Sequence, residues 1–258
     1  MTLEADYLVV GAGAMGMAFA DVLMTETDAS ILLVDRGGRP GGHWNVAYPF
    51  VRLHQPSAFY GVNSRKLGSG TKDTTGWNAG LYELASGAEV VAYFDQVMHQ
   101  QFLPSGRVQY FPMCEYEGNG TFRSLLSGET HDVKVAEKTV DATYMNVIVP
   151  SMRPPTYDIA DGVRCEPPNA LPTLDEPPSA YVIVGAGKTG IDAALWLLSN
   201  GVGPESITWV RPRDPWLLDR AIIQPGREFF DTAVGGFAHR TEAAAHATSV
   251  QDLFARLE

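Results

Sequence analysis

Two triplets of glycine, each followed by a charged residue, are where chemistry can first be read in this chain. Gly11, Gly13 and Gly16 stand at G-x-G-x-x-G spacing with Asp35 further on, and Gly185, Gly187 and Gly190 repeat that spacing with Arg211 and Arg213 in the place of the acid. Glycine there permits a tight turn and lets main chain approach a pyrophosphate, which the N–H groups opening a helix hold without a lysine. Ala14 and Met15 open that helix in the first triplet. A carboxylate such as Asp35 accepts from ribose hydroxyls, whereas a guanidinium such as Arg211 pairs with a ribose phosphate, so the second triplet points to NADPH. Lys188 and Thr189 raise the alternative of a nucleoside-triphosphatase phosphate loop. Val182 stands where that loop requires glycine, and ATP binding is rejected on that ground.

The elements that must position these residues follow from the apolar pattern. Residues 7–10 form a short apolar strand, residues 17–24 have helical spacing, and residues 31–34 form a second buried strand that ends on Asp35. Residues 180–184, a helix face of Ile191, Ala194, Leu195 and Leu198 closed by Gly201, and residues 207–210 repeat the arrangement. The expected fold class is α/β, with two dinucleotide-binding Rossmann-like βαβ units. Residues 79–103 read as a helix stopped by Pro104-Ser105-Gly106. Strands at 108–111, 114–117, 121–125 and 132–136, with turn signals at Gly118-Asn119-Gly120 and Ser127-Gly128, read as a small antiparallel β-meander inserted in the first unit. Residues 140–149 read as one more strand. The expected domains are residues 1–155, a proline-rich linker at 156–178, and residues 179–258.

Composition excludes several classes. A formal charge of −11 argues against a general nucleic-acid binder, which neutralises phosphates with clustered Lys and Arg. No apolar run reaches membrane-spanning length and no basic leader precedes the first strand, so the expectation is a cytoplasmic chain with no membrane partner. Cys114 and Cys165 form no C-x-x-C pair, which removes dithiol chemistry. His239 and His246 could share a helix face but have no third ligand, so no metal is expected. Toward the C-terminus come Trp216-Leu217-Leu218-Asp219-Arg220, a polar loop with Pro225-Gly226, and helical patterns at 242–247 and 250–257.

The loop after Asp35 carries a family resemblance. Arg36 leads into Gly41-Gly42-His43-Trp44, then Tyr48-Pro49, Arg52, Pro56-Ser57, Tyr60 and Asn63-Ser64. This segment resembles the one that follows the first βαβ unit in class B flavoprotein monooxygenases, which include flavin-containing, Baeyer–Villiger and N-hydroxylating enzymes. The resemblance implies FAD at Gly11, Gly13, Ala14, Met15, Gly16, Asp35 and Arg36, with Gly42, His43 and Trp44 lying over the flavin. It implies that Asn63 sits near the reactive flavin face. His54 stands where Baeyer–Villiger enzymes carry an aspartate, two residues after the arginine matched by Arg52, so Asn63, His54 and Arg52 are the catalytic candidates. Cys114 falls where a backbone group contacts the adenine. Thr143 matches an Ala-Thr-Gly stretch in which Tyr144 replaces the glycine. The F-x-G-x-x-x-H run of these monooxygenases does not occur between the two triplets.

These features predict an FAD- and NADPH-dependent oxidoreductase, a flavin monooxygenase that inserts one oxygen atom from O2 into a small organic substrate. The alternatives are a non-catalytic or truncated FAD/NADPH-binding module, acting as redox sensor or partner subunit, and a simple NADPH–flavin reductase. The resemblance covers the N-terminal part of a longer family member, so a homodimer or a missing C-terminal partner segment is the expected way to complete the site.

Overall fold

The computed structural model describes residues 2–143, 145, 148–213 and 217–257; Tyr144 and Trp216 lie outside the described residues. The chain opens with β1 (Thr2–Val10), α1 (Ala14–Glu26) and β2 (Ile31–Val34). β1 and β2 are parallel, with Tyr7 opposite Ile31 and Val10 opposite Val34, so α1 is the crossover between them. All four residues of β2 are buried, the pattern of a strand covered on both faces.

α2 (Gly87–Val97) follows, continued by a π-turn over Met98–Phe102. Apolar spacing places a helix start at residue 79, and the structure corrects it to Gly87. Leu81 and Leu84 keep a helix-like spacing outside any helix, while Ser86 and Glu89 form a reciprocal capping box that sets the true start. Ser86 N–H donates to Glu89 Oε2 at 2.7 Å, and Glu89 N–H donates to Ser86 Oγ at 3.3 Å. Ser86→Ala should lower stability by about 1 kcal/mol, seen as a lower urea midpoint at unchanged m-value; no shift would show that packing alone fixes this end.

Beyond α2 lie β3 (Val108–Phe111), β4 (Cys114–Gly118), β5 (Thr121–Ser124) and β6 (Thr130–Asp141). The sheet order is β3-β2-β1-β6-β5-β4. Two expectations are corrected here. β3 is no part of an antiparallel meander: it pairs in parallel with β2, Val108 opposite Ile31, and extends the main sheet. The expected strands at 132–136 and 140–149 are instead one strand, β6, which pairs antiparallel with β5 at its start, runs parallel to β1 as far as Asp141, and ends there. The antiparallel part is therefore β4, β5 and the start of β6. Its core joins Phe122 and Val133 to Leu8 and Leu32 of the parallel strands.

The second unit of the same connectivity is β7 (Tyr181–Val184), α3 (Lys188–Ser199) and β8 (Ile207–Val210), with β7 and β8 parallel and Tyr181 opposite Ile207. Helices α4 (Gly236–His246) and α5 (Val250–Leu257) close the described chain, and His239 and His246 are exposed on α4.

Contacts divide the chain into two compact units: Met1–Arg52, Gly61–Leu67 and Ala85–Pro215 form one, and Leu53–Tyr60, Gly68–Leu84 and Trp216–Glu258 form the other. The first holds both glycine triplets. The second is organised by polar groups: Gln224, 2% exposed, accepts from Tyr82 N–H at 2.9 Å and donates to Arg220 O at 2.7 Å. Arg220 in turn donates from Nη1 to Asn78 Oδ1 at 2.9 Å.

Candidate functional site

Each triplet builds the same turn. Gly11 has φ +103° and Gly185 has φ +121°, a region open chiefly to glycine. Gly13 and Gly187 each cap the following helix with φ −76° and extended ψ, and neither helix start has a side-chain cap, so its first N–H groups are not taken by a cap side chain. A Cβ on Gly16 would lie 1.8 Å from Gly11 O, and one on Gly190 would lie 2.4 Å from Gly185 O. In both units the helix thus packs directly on the main chain leaving the strand. Ala14 and Met15 open α1, with Met15 exposed.

Asp35 organises the surroundings of the first turn. Its carboxylate accepts from Ala12 N–H and Gly37 N–H, spanning the turn and the loop after β2. Gly11 N–H donates to Val34 O at 2.7 Å, and Cys114 N–H donates to Asp35 O at 2.9 Å. Cys114 is therefore next to Asp35, buried, with its amide committed to main chain and its thiol pushed up by burial. Thr143 reaches the other side: its methyl group would lie 2.9 Å from a Cβ on Gly11, and its N–H and hydroxyl donate to Asp141 at 2.8 and 2.6 Å. Those bonds hold the Asp141 carboxyl below its ordinary range. Arg36 forms an exposed ion pair with Glu115 at 3.6 Å.

The second glycine pair folds onto the first. Gly41, φ +111°, donates from N–H to Ala12 O at 2.9 Å, and a Cβ on Gly42 would lie 3.0 Å from Gly13 Cα. The loop after Asp35 contains a 3-10 turn over Gly42–Val46 in which His43 stacks on Trp44 at 5.4 Å. Burial pushes the His43 imidazole below its usual value, which favours the neutral ring. A cavity of about 540 Å³ is lined by Asp35, Gly37, Gly42, His43 and Asn45. The Tyr110 hydroxyl is buried without a hydrogen-bond partner, and burial together with the Asp35 charge pushes it up. An uncapped helix start, a cradle that a Cβ would fill, a carboxylate, and an orphaned hydroxyl within reach of that carboxylate's charge are the groups a dinucleotide uses.

A second cavity, of about 710 Å³, lies at the other triplet and is lined by Gly185, Gly187, Thr189 and Gly190 together with residues of the proline-rich stretch such as Pro155 and Tyr157. Lys188 turns away from that lining. Its ammonium pairs with Asp192, lies 3.5 Å from Tyr48 Oη, and sits over the Tyr48 ring at 5.9 Å from the centroid. Tyr48 donates to Asp192 Oδ2 at 2.7 Å, and burial followed by that carboxylate pushes the phenol well above its ordinary value. Phe50 stacks on Trp196 of α3 at 5.2 Å beside this cluster. Past β8, Arg211 lies over the Trp209 ring at 5.1 Å, and Arg211 and Arg213 are both exposed.

The three catalytic candidates are placed differently. Arg52 bridges Ser86 through main chain, at the start of α2. Asn63 is exposed on a turn of the same unit, and its carboxamide makes no hydrogen bond among the described residues. His54 belongs to the other unit, where its carbonyl accepts from Arg220 Nε at 3.2 Å. No group of three or more metal-ligating side chains occurs among the described residues, and no described helix is long and apolar enough to cross a membrane.

Comparison with known proteins gives the same outline. Residues 9–50 match the NAD(P)-binding Rossmann-like domain family. Proteins described as uncharacterized from Mycobacterium tuberculosis and Mycobacterium bovis are each 57% identical over 257 residues, covering all of this chain and 48% of their own length. The chain thus spans about half the length of the curated relatives it matches. Among solved structures, a flavin-containing monooxygenase from Stenotrophomonas maltophilia superposes with TM-score 0.55 at 17% identity, covering 91% of this chain and 68% of that one. The bacillithiol disulfide reductase Bdr from Staphylococcus aureus superposes with TM-score 0.56 at 14% identity, covering 92% of this chain and 65% of that one. The chain shares its fold with these flavin and disulfide oxidoreductases.

Proposed function

We propose that this chain binds FAD at Gly11–Asp35 and NADPH at Gly185–Arg211 and forms the cofactor-binding half of a flavin monooxygenase acting on a small organic substrate. The observation that carries the reading is the pair of glycine turns of like conformation followed by opposite charges, Asp35 after one and Arg211 after the other, each triplet's surroundings lining a cavity. FAD, when bound, supplies a hydride acceptor for NADPH and a partner for O2. The chain's own residues bind and orient. The first N–H groups of α1 hold the pyrophosphate, Asp35 accepts from the ribose, and Gly42, His43 and Trp44 cover the ring system. Arg52 and Asn63, with His54, are the proposed groups beside the reacting atoms. The division into a 1–155 FAD domain, a 156–178 linker and a 179–258 NADPH domain, a cytoplasmic location, and completion by a homodimer or a C-terminal segment belong to the same proposal.

Purified chain supplied with FAD should show a bound-flavin visible spectrum that NADPH bleaches without air and that air restores. Bound flavin that NADPH fails to bleach would remove the oxidoreductase reading for this chain; no bound flavin would remove the first site as well. A plain NADPH–flavin reductase is the second reading, favoured by the likeness to the Staphylococcus aureus reductase. It predicts that all reducing equivalents leave as hydrogen peroxide or reduced acceptor, with none incorporated as substrate oxygen.

Arg211 gives a sharper test of the second site. A charge-assisted bond to a phosphate is worth about 1.5–3 kcal/mol, so Arg211→Ala should raise the KM for NADPH about 10- to 100-fold and leave that for NADH nearly unchanged. Equal losses for both would remove the phosphate role.

A further inference from the structure

Asp21 is a carboxylate in the middle of α1 with only 1% exposure, and no cation pairs with it among the described residues. Burying an uncompensated carboxylate is costly, and the chain keeps it for one contact. Asp21 Oδ2 accepts from Ser64 N–H at 3.0 Å, and Oδ1 accepts from the Ser64 hydroxyl. From α2, the Tyr93 hydroxyl accepts from Val62 N–H at 2.7 Å and donates to Arg65 O at 2.7 Å. A Cβ on Gly61, φ +112°, would lie 2.5 Å from the same hydroxyl oxygen, so the chain enters the turn pressed against Tyr93. Residues 62, 64 and 65 are thus each held by a buried side chain, while Asn63 between them stays exposed with an unused carboxamide.

We infer that Asp21 and Tyr93 are positioning residues that clamp the turn around Asn63 and present its carboxamide in one orientation to the ligand of the first glycine triplet. This rests on the reading of the Gly41–Ser64 loop as the flavin side of the site. α1 makes the clamp a ruler. Its first N–H groups face the pyrophosphate, and Asp21 follows Ala14 by about 10 Å along the same rigid helix, so Asn63 is referenced to the cofactor phosphates through one element. Four bonds from two helices hold the turn before any ligand arrives, so little ordering remains to be done on binding.

Two readouts test this. In ligand-free protein, Asp21→Ala should speed amide exchange at Ser64 about tenfold or more, and Tyr93→Phe should do the same at Val62, with β1 and β2 unchanged. Asp21→Asn should largely restore Ser64 protection, because its carboxamide oxygen still accepts that N–H. With FAD bound, Asn63→Ala and Asp21→Ala should change the visible circular dichroism of the flavin alike, and the double variant should change it no further. Unchanged exchange, or additive spectral effects, would overturn the proposal. A flavin signal that responds to Asn63→Ala but not to Asp21→Ala would overturn it alone, whereas FAD that binds but ignores Asn63→Ala would overturn the flavin placement of the loop. If Asp21→Ala fails to fold, Ser64→Ala removes only the hydroxyl contact and is read in the same way.

Discussion

Gly16→Ala should yield a chain that no longer retains FAD and melts well below the parent. A methyl group there falls 1.8 Å from Gly11 O, a separation that only main-chain movement can relieve. That movement is blocked on both sides, because Gly11 N–H donates to Val34 O at 2.7 Å and Ala142 N–H donates to Val10 O at 2.9 Å. Overpacking against fixed main chain costs about 3 kcal/mol, a fall in Tm of about 6–12 °C for a chain of this size. The turn that aims N–H groups at the pyrophosphate shifts with the helix, so cofactor retention should fall further than stability does. Gly190→Ala is the matched control. Its clash at 2.4 Å lies in the second unit, so it should impair NADPH and leave the flavin spectrum intact. Retained flavin in Gly16→Ala, with an unchanged Tm, would show that the helix can lift off the strand without consequence.

Asp35→Ala should weaken FAD by about 100-fold or more. In the structure the carboxylate already ties Ala12 N–H to Gly37 N–H, and each oxygen keeps a further lone pair for a ribose hydroxyl. The substitution removes the ribose acceptor and leaves two main-chain donors without their partner, at about 1.5–3 kcal/mol for each charge-assisted bond lost. A loss of about 3 kcal/mol corresponds to two decades in Kd. Asp35→Asn should fall between, since its amide nitrogen faces a donor at one of the two contacts. Titration of apoprotein with FAD, followed by flavin fluorescence, measures all three. A change of less than about threefold in Asp35→Ala would place the ribose elsewhere.

Where local pattern determined local structure, the sequence was readable. β2 is Ile31–Val34 as the apolar run implied, and both glycine turns have the conformations their residue types require. Strand direction was not readable for Val108–Phe111, because four residues carry no record of which neighbour they will pair with. The crossover that contains α2 returns the chain to the start of the sheet, and β3 therefore pairs parallel to β2. The start of α2 had a usable signal in Ser86-Gly87-Ala88-Glu89, a capping-box spacing that outweighs the apolar residues before it. β6 was divided because its exposed positions, Glu137 to Thr139 among them, interrupt any apolar period.

Of the candidate site, the glycine turns and the carboxylate beside the first of them were legible in the sequence, and their supports much less so. Asp21 makes its bonds 43 residues away, and Tyr93 reaches 31 residues back, distances over which no periodicity reports. A carboxylate flanked by Ala20 and Val22 on an apolar helix was the one available hint. The partner of Lys188 was not read from the sequence either, although the Asp192 carboxylate lies one turn along the same helix and pairs with it.

That contact has a consequence for the proposed pair of nucleotide sites. Tyr48 belongs to the segment that follows Gly42, and Asp192 and Lys188 belong to the helix opened by Gly187, so one small bridge joins that segment to that helix. Any nucleotide that draws Lys188 toward its phosphates must release it from Tyr48 and so alter the free energy of that segment. Linkage then requires the effect to run both ways: whatever factor the second nucleotide imposes on affinity for the first, the first imposes on the second. Order of addition would be a property of the bridge, and the two half-sites would titrate as one coupled system.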